Sequence, residues 1–146
     1  MAHDTVEEIV SQLRHGGTRV TTARRLLLTV LLNSTGHPTV EELLISVRAM
    51  APDVHESTVY RNLEELERLG VVVHTHLGHG AATYHLAANA HGHLVCENCG
   101  STIEAAADLF DGLTEAARTR HGFQLRPYHF AVLGICDSCT EAGVDG

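Results

Sequence analysis

The stretch that decides the fold runs from residue 57 to residue 76 and reads STVYRNLEELERLGVVVHTH. Its first part has helical periodicity, with a core stripe of Val59, Leu63 and Leu66. Gly70 then supplies the left-handed stop that ends many helices. After it the period changes to two, and a second run from 81 to 86 predicts a β-hairpin. A helix that leads directly into a hairpin is typical of a winged helix-turn-helix domain; a small helical domain with an appended hairpin is the alternative.

Three more helices are predicted before this stretch. Two of them open with a capping box, in which a hydroxyl and a carboxylate three residues later satisfy the free amides of the first turn. The predicted helices begin at Thr5 with Glu8, at Thr21 or Thr22 and running through Leu31, and at Thr39 with Glu42. For the helix of residues 57–69 we expect Ser57 to be the N-cap.

Composition divides the chain into two parts. Residues 1–70 hold seven of ten arginines and no cysteine, whereas residues 71–146 hold all four cysteines and eight of twelve histidines. We therefore expect a winged-helix domain over 1–87 and a small α+β domain over 88–146. In the second domain we expect strands at 91–95, 101–105, 123–125 and 128–135, and a helix at 107–120.

Two matched cysteine pairs carry the strongest chemical signal. Cys96 and Cys99 form one Cys-x-x-Cys pair, Cys136 and Cys139 form another, and 36 residues separate them. Two such knuckles complete a tetrahedral structural Zn(II) site with no open position. A redox role for either pair is the rival interpretation, and the matched spacing argues against it. A zinc deaminase is excluded because Val95, not proline, precedes Cys96 and no His-x-Glu occurs.

Histidines spaced two apart suggest a second kind of metal site. On a strand, His91 and His93 project from one face, as do His74 and His76. Each pair presents two imidazoles to one ion, and further ligands must come from elsewhere. The candidates are His37, His85, Glu104 and His129. An ion joining His37 to the second domain would fix the angle between the domains and so act as a switch.

In its ordered motifs, the chain resembles the ferric uptake regulator family of bacterial metal-dependent repressors. The resemblance covers residues 10–139. It is carried by Arg19-Val-Thr-Thr-Ala-Arg24, His37-Pro-Thr39, Ser57-Thr-Val-Tyr-Arg-Asn-Leu63, His91-Gly-His-Leu-Val-Cys96 and the two cysteine pairs. The resemblance implies an N-terminal winged-helix DNA-binding domain and a C-terminal α+β dimerisation domain. It also implies a homodimer that binds a palindromic operator when it is metallated.

By position, the resemblance implies a hinge sensing site made of His37, His85, His91, His93 and Glu104. Peroxide-sensing members of the family have Asp where this chain has Glu104, so a peroxide-sensing function is disfavoured relative to the other functions of the family. Asn89, Ala90 and Gly92 replace the usual ligands of an additional dimerisation-domain site. The set His74, His76 and His129 instead resembles the nickel uptake regulator branch. Imidazole-rich sites suit nickel, zinc, copper or iron. Ni(II) is the favoured regulatory ion, with Fe(II) next and zinc or manganese as further alternatives.

DNA contact is expected at the start of the helix of residues 57–69, because the second helix of a helix-turn-helix enters the major groove there. Tyr60 and Arg61 are the leading candidates, and Ser57 and Thr58 lie beside them. Backbone phosphates are expected to meet Arg19, Arg24 and Arg25. An ordinary amphipathic surface helix remains the alternative, supported by Glu64, Glu65 and Glu67.

The formal charge of −8 cautions against a nucleic-acid binder without excluding one. Four zinc-bound thiolates change it by −4 + 2 to −10, and two more divalent ions bring it to −6. No apolar run approaches the roughly 20 residues of a membrane span, and acids near the N-terminus argue against a secretory signal. We expect a cytoplasmic repressor with double-stranded DNA as its partner, neither an enzyme nor a binder of a small-molecule substrate. A cytoplasmic metal-buffering or trafficking protein and a redox enzyme are the alternatives.

Overall fold

The computed structural model describes residues 5–78, 80–89, 91–126 and 131–143. Over these residues the chain forms helices and small sheets, which confirms the α+β class. The chain divides into two units. Described residues of Met1–His74 and Thr83–Asn89 form the first, and those of Thr75–Ala82 and Ala90–Gly146 form the second. The boundary expected after residue 87 stays a prediction.

The first unit is built on four helices whose starts follow from local hydrogen bonding. Thr5 and Glu8 form the expected capping box, and so do Thr39 and Glu42. The Thr21 hydroxyl accepts a hydrogen bond from the Arg24 amide. These caps satisfy amides that the first helical turn leaves without partners. The helices are α1 (Val6–His15), α2 (Thr22–Asn33), α3 (Val40–Met50) and α4 (Glu56–Arg68).

The start of α4 differs from the prediction. Its N-cap is His55, and no side chain caps the helix, so Ser57 lies inside the first turn. The prediction was wrong because a hydroxyl two residues inside a helix offers the same sequence signal as a cap. The end is as expected: Gly70 has φ +73°, and its amide bonds to the Glu67 carbonyl.

Apolar packing holds the first unit together. Leu28 and Leu43 from α2 and α3 are fully buried, and Val59, Leu63 and Leu66 give α4 the predicted core stripe. The hairpin strands join the same core through Val72 and Leu86. Burying an aliphatic side chain of this size contributes about 1.5–3 kcal/mol, so this shared core fixes α4 against the hairpin. The strands are β1 (Val72–His76) and β2 (Ala82–Leu86).

The second unit contains a three-stranded sheet in the order β4-β3-β5. The central strand β3 pairs antiparallel with β4 and parallel with β5. A parallel pair needs a long connection, and here that connection contains β4 and α5. The elements are β3 (Gly92–Cys96), β4 (Thr102–Ala105), α5 (Asp111–His121), β5 (Ala131–Gly134) and α6 (Asp137–Glu141).

Three expectations for this unit need correction. Residues 123–125 form no strand, because three residues give too short an alternating pattern to identify one. The helix expected from residue 107 begins as a 3-10 turn, Ala107–Phe110, and continues as α5. The strand expected at 128–135 spans Ala131–Gly134, and residues 128–130 lie outside the described part. None of the described helices is long and apolar enough to cross a membrane.

Candidate metal centres and DNA-recognition helix

The four cysteines come together at one point of the second unit. Their sulfur atoms all lie within 4.8 Å of one another, with 3.9 Å between Cys96 and Cys139 and 3.8 Å between Cys99 and Cys136. Four sulfurs on a tetrahedron around one Zn(II) at about 2.3 Å are about 3.8 Å apart. All four are free thiols. This four-cysteine cluster therefore fits a structural zinc site, as the spacing predicts, and not a disulfide.

Hydrogen bonds to the sulfurs of Cys96 and Cys99 favour the thiolate form that zinc requires. Backbone amides of Cys99 and Cys136 lower the pKa of Cys96 to about 6. The Ser101 hydroxyl, 3.1 Å from the sulfur, lowers the pKa of Cys99. The Asn98 side-chain amide donates to the Cys139 sulfur over 3.2 Å and acts to lower its pKa, but hydrogen bonds with the other three sulfurs and burial raise the pKa of Cys139 to about 11. Donors such as Asn98 orient thiolate ligands and stabilise their charge.

Two of the predicted hinge histidines lie together within the first unit. The rings of His37 and His85 meet edge to face, with centroids 5.4 Å apart. Backbone contacts hold them there, because the Tyr84 amide donates to the Pro38 carbonyl over 2.9 Å and Thr39 bridges to Thr83. His85 is buried. The loop before α3 and strand β2 thus present a two-imidazole half-site.

The other hinge ligands lie together within the second unit. The rings of His91 and His93 have centroids 4.7 Å apart, and His93 is fully buried. Glu104 is the cross-strand partner of His93, and its carboxylate lies 3.4 Å from Nε2 of His91. This half-site therefore offers two imidazoles and one carboxylate, as strand alternation on β3 predicts.

Gly92 lies between these two histidines because of a close aromatic contact. A Cβ atom at position 92 would lie 1.9 Å from Cε2 of Phe110. The Phe110 ring is buried and covers the backbone of β3 at this point. A side chain at position 92 therefore requires the ring or the strand to move.

The hairpin histidines have different surroundings. The carboxylate of Glu67 on α4 contacts Nδ1 of His74, and the ring of Tyr84 lies 6.1 Å from the His74 ring. His76 follows on the same face of β1 and is exposed. His129, the third member of the predicted nickel-like set, lies outside the described residues.

The first turns of α4 present polar residues to solvent, as its periodicity predicts. Tyr60 and Arg61 are exposed, Ser57 is exposed and Thr58 is half-buried. The inward face is apolar except for Asn62, which is buried. This outward face has the composition that groove contacts require, with a guanidinium and a phenol within one turn.

The three other predicted arginines differ in their bonding. Arg24 donates from Nε to the side-chain Oδ1 of Asn62 and from Nη1 to the backbone carbonyl of Arg19, both over 2.8 Å. Arg25 forms an ion pair with Glu7. Arg19 has an exposed side chain. Arg24 therefore ties the start of α2 to α4, a positioning role that sequence reasoning missed.

Several other partners were missed for the same reason, since each depends on tertiary packing. The sequence pattern groups Glu67 with the acids of an amphipathic surface helix, yet its carboxylate contacts the His74 ring. Asn98 and Ser101 stand within the zinc knuckle and next to it, and a short polar residue near Cys-x-x-Cys is the one signal that could have found them. Phe110 gives no local signal for its contact with Gly92.

Comparison with known proteins agrees with this geometry. The family model "Ferric uptake regulator family" matches residues 15–132. The peroxide operon regulator of Bacillus subtilis (strain 168) is 27% identical over 141 residues, which cover 97% of this chain and 97% of that protein. The manganese-bound ferric uptake regulator from Pseudomonas aeruginosa is 30% identical, with a TM-score of 0.70 over 88% of this chain and 97% of that chain.

The Helicobacter pylori ferric uptake regulator Fur has the same fold. Its TM-score is 0.75 at 23% identity, over 96% of this chain and 97% of that chain. The family match covers most of the chain. The chain therefore belongs to the ferric uptake regulator family of metal-responsive transcriptional regulators.

Proposed function

We propose that this chain is a nickel-responsive repressor that binds a palindromic operator as a metallated homodimer in the cytoplasm. The observation that carries the proposal is the pair of imidazole half-sites, one within each unit. The proposal includes the identity of the ion, the binding of one ion by both half-sites and the binding of DNA by the dimer.

The hinge metal would be held jointly by the two half-sites, with ligands His37, His85, His91, His93 and Glu104. Two imidazoles bound to one ion through nitrogen at about 2.1 Å have ring centroids roughly 4.6–5.3 Å apart. The pairs measure 5.4 Å and 4.7 Å, so each fits a shared ion with little adjustment. An ion that binds only when both half-sites meet shifts the population toward one relative orientation of the units.

Nitrogen donors outnumber oxygen donors at this hinge site by four to one. Imidazole suits nickel, copper, zinc and iron, whereas manganese prefers carboxylates, carbonyls and water. Affinity for such a site also rises from manganese through iron to nickel. This ordering places nickel above iron and manganese but below copper. The preference for nickel therefore rests also on the resemblance of His74, His76 and His129 to the nickel uptake regulator branch, with an iron-responsive regulator as the second candidate. Peroxide sensing is a lesser candidate: the Bacillus subtilis relative is named for peroxide, but this chain has Glu104 where that class has Asp.

A second nickel ion would bind the hairpin through His74 and His76, with His129 as a further ligand. His74 and His76 lie two residues apart on β1, which supports a shared ion. Each divalent ion on neutral histidines adds two positive charges and so weakens repulsion from DNA. Loading both regulatory sites would make the formal charge of the zinc-loaded chain less negative, from −10 to −6.

Operator binding is assigned to the outward face of α4. Arg61 would contact a guanine or a phosphate, Tyr60 a thymine methyl or a phosphate, and Arg19 the DNA backbone. A dimer presents two such helices, which must match successive major grooves about 34 Å apart. The hinge metal is proposed to set this separation, so that the metal-free protein binds DNA weakly.

Exposed apolar residues of the second unit support homodimer formation. Ile103, Leu94 and Val132 face one another across the sheet in register. Ile103 and Val132 are exposed, and the three residues line a groove of about 290 Å³. Leu109 and Leu113, in the 3-10 turn and α5, are also exposed. Large contiguous apolar surfaces mark interfaces between proteins, and these exposed residues are candidates for such a surface.

Fluorescence anisotropy with labelled operator DNA tests the proposal. Zinc-loaded protein would be titrated without further metal and with nickel, iron, manganese or zinc. Nickel is expected to raise operator affinity at least 100-fold, and more than the other ions do. The strongest response to iron would support the second candidate. Metal binding with no change in the anisotropy of any promoter DNA would instead indicate a metal-buffering protein.

A further inference from the structure

The last turn of α4 and strand β1 are joined by a contact between Glu67 and His74. The Glu67 carboxylate meets Nδ1 of the imidazole, and roughly a third of each side chain is exposed. The Tyr84 ring lies 6.1 Å from the imidazole, tilted by 45°, on the adjacent strand. His74 is therefore held between a carboxylate of the recognition helix and an aromatic ring of the hairpin.

The chemistry of this contact fixes which nitrogen can bind a metal. An ionised carboxylate only accepts hydrogen bonds, so Nδ1 of a neutral His74 must carry the proton. The lone pair of the ring is then on Nε2. Histidine ligands of metals commonly use this arrangement, in which a carboxylate on the far ring nitrogen sets the tautomer and raises ligand basicity.

Glu67 differs from its acidic neighbours on α4. Glu65 forms a bidentate pair with Arg68, and that pair accounts for its lowered pKa. Glu64 is exposed on the same helix. Glu67 points instead at the hairpin, although the three residues are alike in sequence.

We propose that Glu67 is a positioning residue for the second regulatory metal. It holds His74 in the tautomer that presents Nε2 to the ion, and it connects that ion to the recognition helix. The inference rests on the proposed second nickel site, to which the described residues His74 and His76 would contribute. If metal at this site strengthens DNA binding on α4, DNA strengthens metal binding by the same factor, because coupling between two bound ligands is reciprocal.

The test compares Glu67→Ala and Glu67→Gln with the matched control Glu64→Ala. Nitrogen-15 spectra of histidine-labelled, zinc-loaded protein without nickel report the His74 tautomer, assigned by loss of its signals in His74→Ala. Wild type and Glu64→Ala are expected to hold the proton on Nδ1. Glu67→Ala is expected to move it largely to Nε2, whereas Glu67→Gln keeps an acceptor and retains the wild-type tautomer in part.

Nickel affinity is then measured by competition with a chromophoric chelator. Glu67→Ala is expected to lower the binding affinity for one of the two nickel ions per chain by 10- to 100-fold, the range found for residues that hydrogen-bond to metal ligands. The other nickel, the zinc content and the thermal midpoint are expected to match wild type, as they do in Glu64→Ala. Glu67→Gln is expected to show a smaller loss.

The outcomes separate this inference from the proposed function. Two nickel ions that bind Glu67→Ala as tightly as wild type, or a His74 tautomer that does not change, would overturn the role of Glu67 and leave the nickel regulator intact. One nickel ion per chain in wild type, unchanged in His74→Ala with His76→Ala, would overturn the second site and the inference together.

Discussion

Replacing Gly92 by alanine tests how the second unit positions its histidines. The new Cβ would lie 1.9, 2.6 and 2.9 Å from three ring carbons of Phe110. Ordinary carbon contacts are about 3.5–4.0 Å, so the ring or strand β3 must move by roughly 1.5–2 Å. Phe110 is 5% exposed, so movement of the ring toward solvent loses burial.

The expected cost is about 2–4 kcal/mol. Overpacking a core costs typically 1–3 kcal/mol, and removal of a buried phenylalanine ring about 3–5 kcal/mol, which bounds the cost of expelling it. For a chain of this size, the thermal midpoint falls roughly 3–4 °C per kcal/mol, so a decrease of about 6–15 °C is expected. His91 and His93 flank the substitution, so regulatory-metal affinity is also expected to decrease.

Thermal and guanidinium unfolding of zinc-loaded protein measure this effect, with Gly112→Ala as the matched control. Gly112 lies in α5 with open space around its Cα, so alanine there is expected to stabilise by about 0.5–1 kcal/mol. Phe110→Leu in the Gly92→Ala background should recover part of the loss. A Gly92→Ala protein within about 0.5 kcal/mol of wild type, or no recovery in the double variant, would refute the packing argument.

Two other predictions follow from the structure. Cys136→Ser removes one sulfur from the four-cysteine cluster, so the zinc content, measured with a chromogenic chelator, should fall below one per chain. Circular dichroism should then show loss of ordered structure in the second unit, because structural zinc binding is coupled to folding. Retention of full zinc and structure would contradict this. Arg61→Ala should weaken operator binding and reduce the slope of log affinity against log salt by about one, whereas Arg24→Ala should lower the thermal midpoint and weaken binding with an unchanged slope. Equal slope changes in the two variants would indicate that Arg24 also contacts phosphate.

Features that depend on local chemistry could be predicted from the sequence. The capping boxes at Thr5 and Thr39 and the stop at Gly70 each involve residues a few positions apart. The four-cysteine cluster was also predictable, because two knuckles of fixed spacing have one common solution. The closeness of the His91 and His93 rings was predictable from their two-residue spacing, because alternate residues of an extended segment lie on the same face.

Features that depend on packing between elements could not be predicted. The hydrogen bond from the Arg24 guanidinium to the Asn62 side chain joins residues 38 positions apart and has no local sequence signal. Glu67 is one of three similar acids, and the position of the hairpin alone distinguishes it. The start of α4 at Glu56 was missed because no side-chain cap marks it. In each case the partner is set by tertiary contacts that leave no periodic signal.

X-ray absorption at the nickel edge tests the central claim most directly. The His74→Ala, His76→Ala background, loaded with zinc and one nickel per chain, isolates the hinge site. Nickel is expected to be bound mainly by imidazole nitrogen at about 2.1 Å. One imidazole fewer is expected after His37→Ala and one fewer after His93→Ala, since both units would contribute ligands to the same ion. An imidazole count that does not change in His37→Ala would contradict a hinge metal that is shared by the two units.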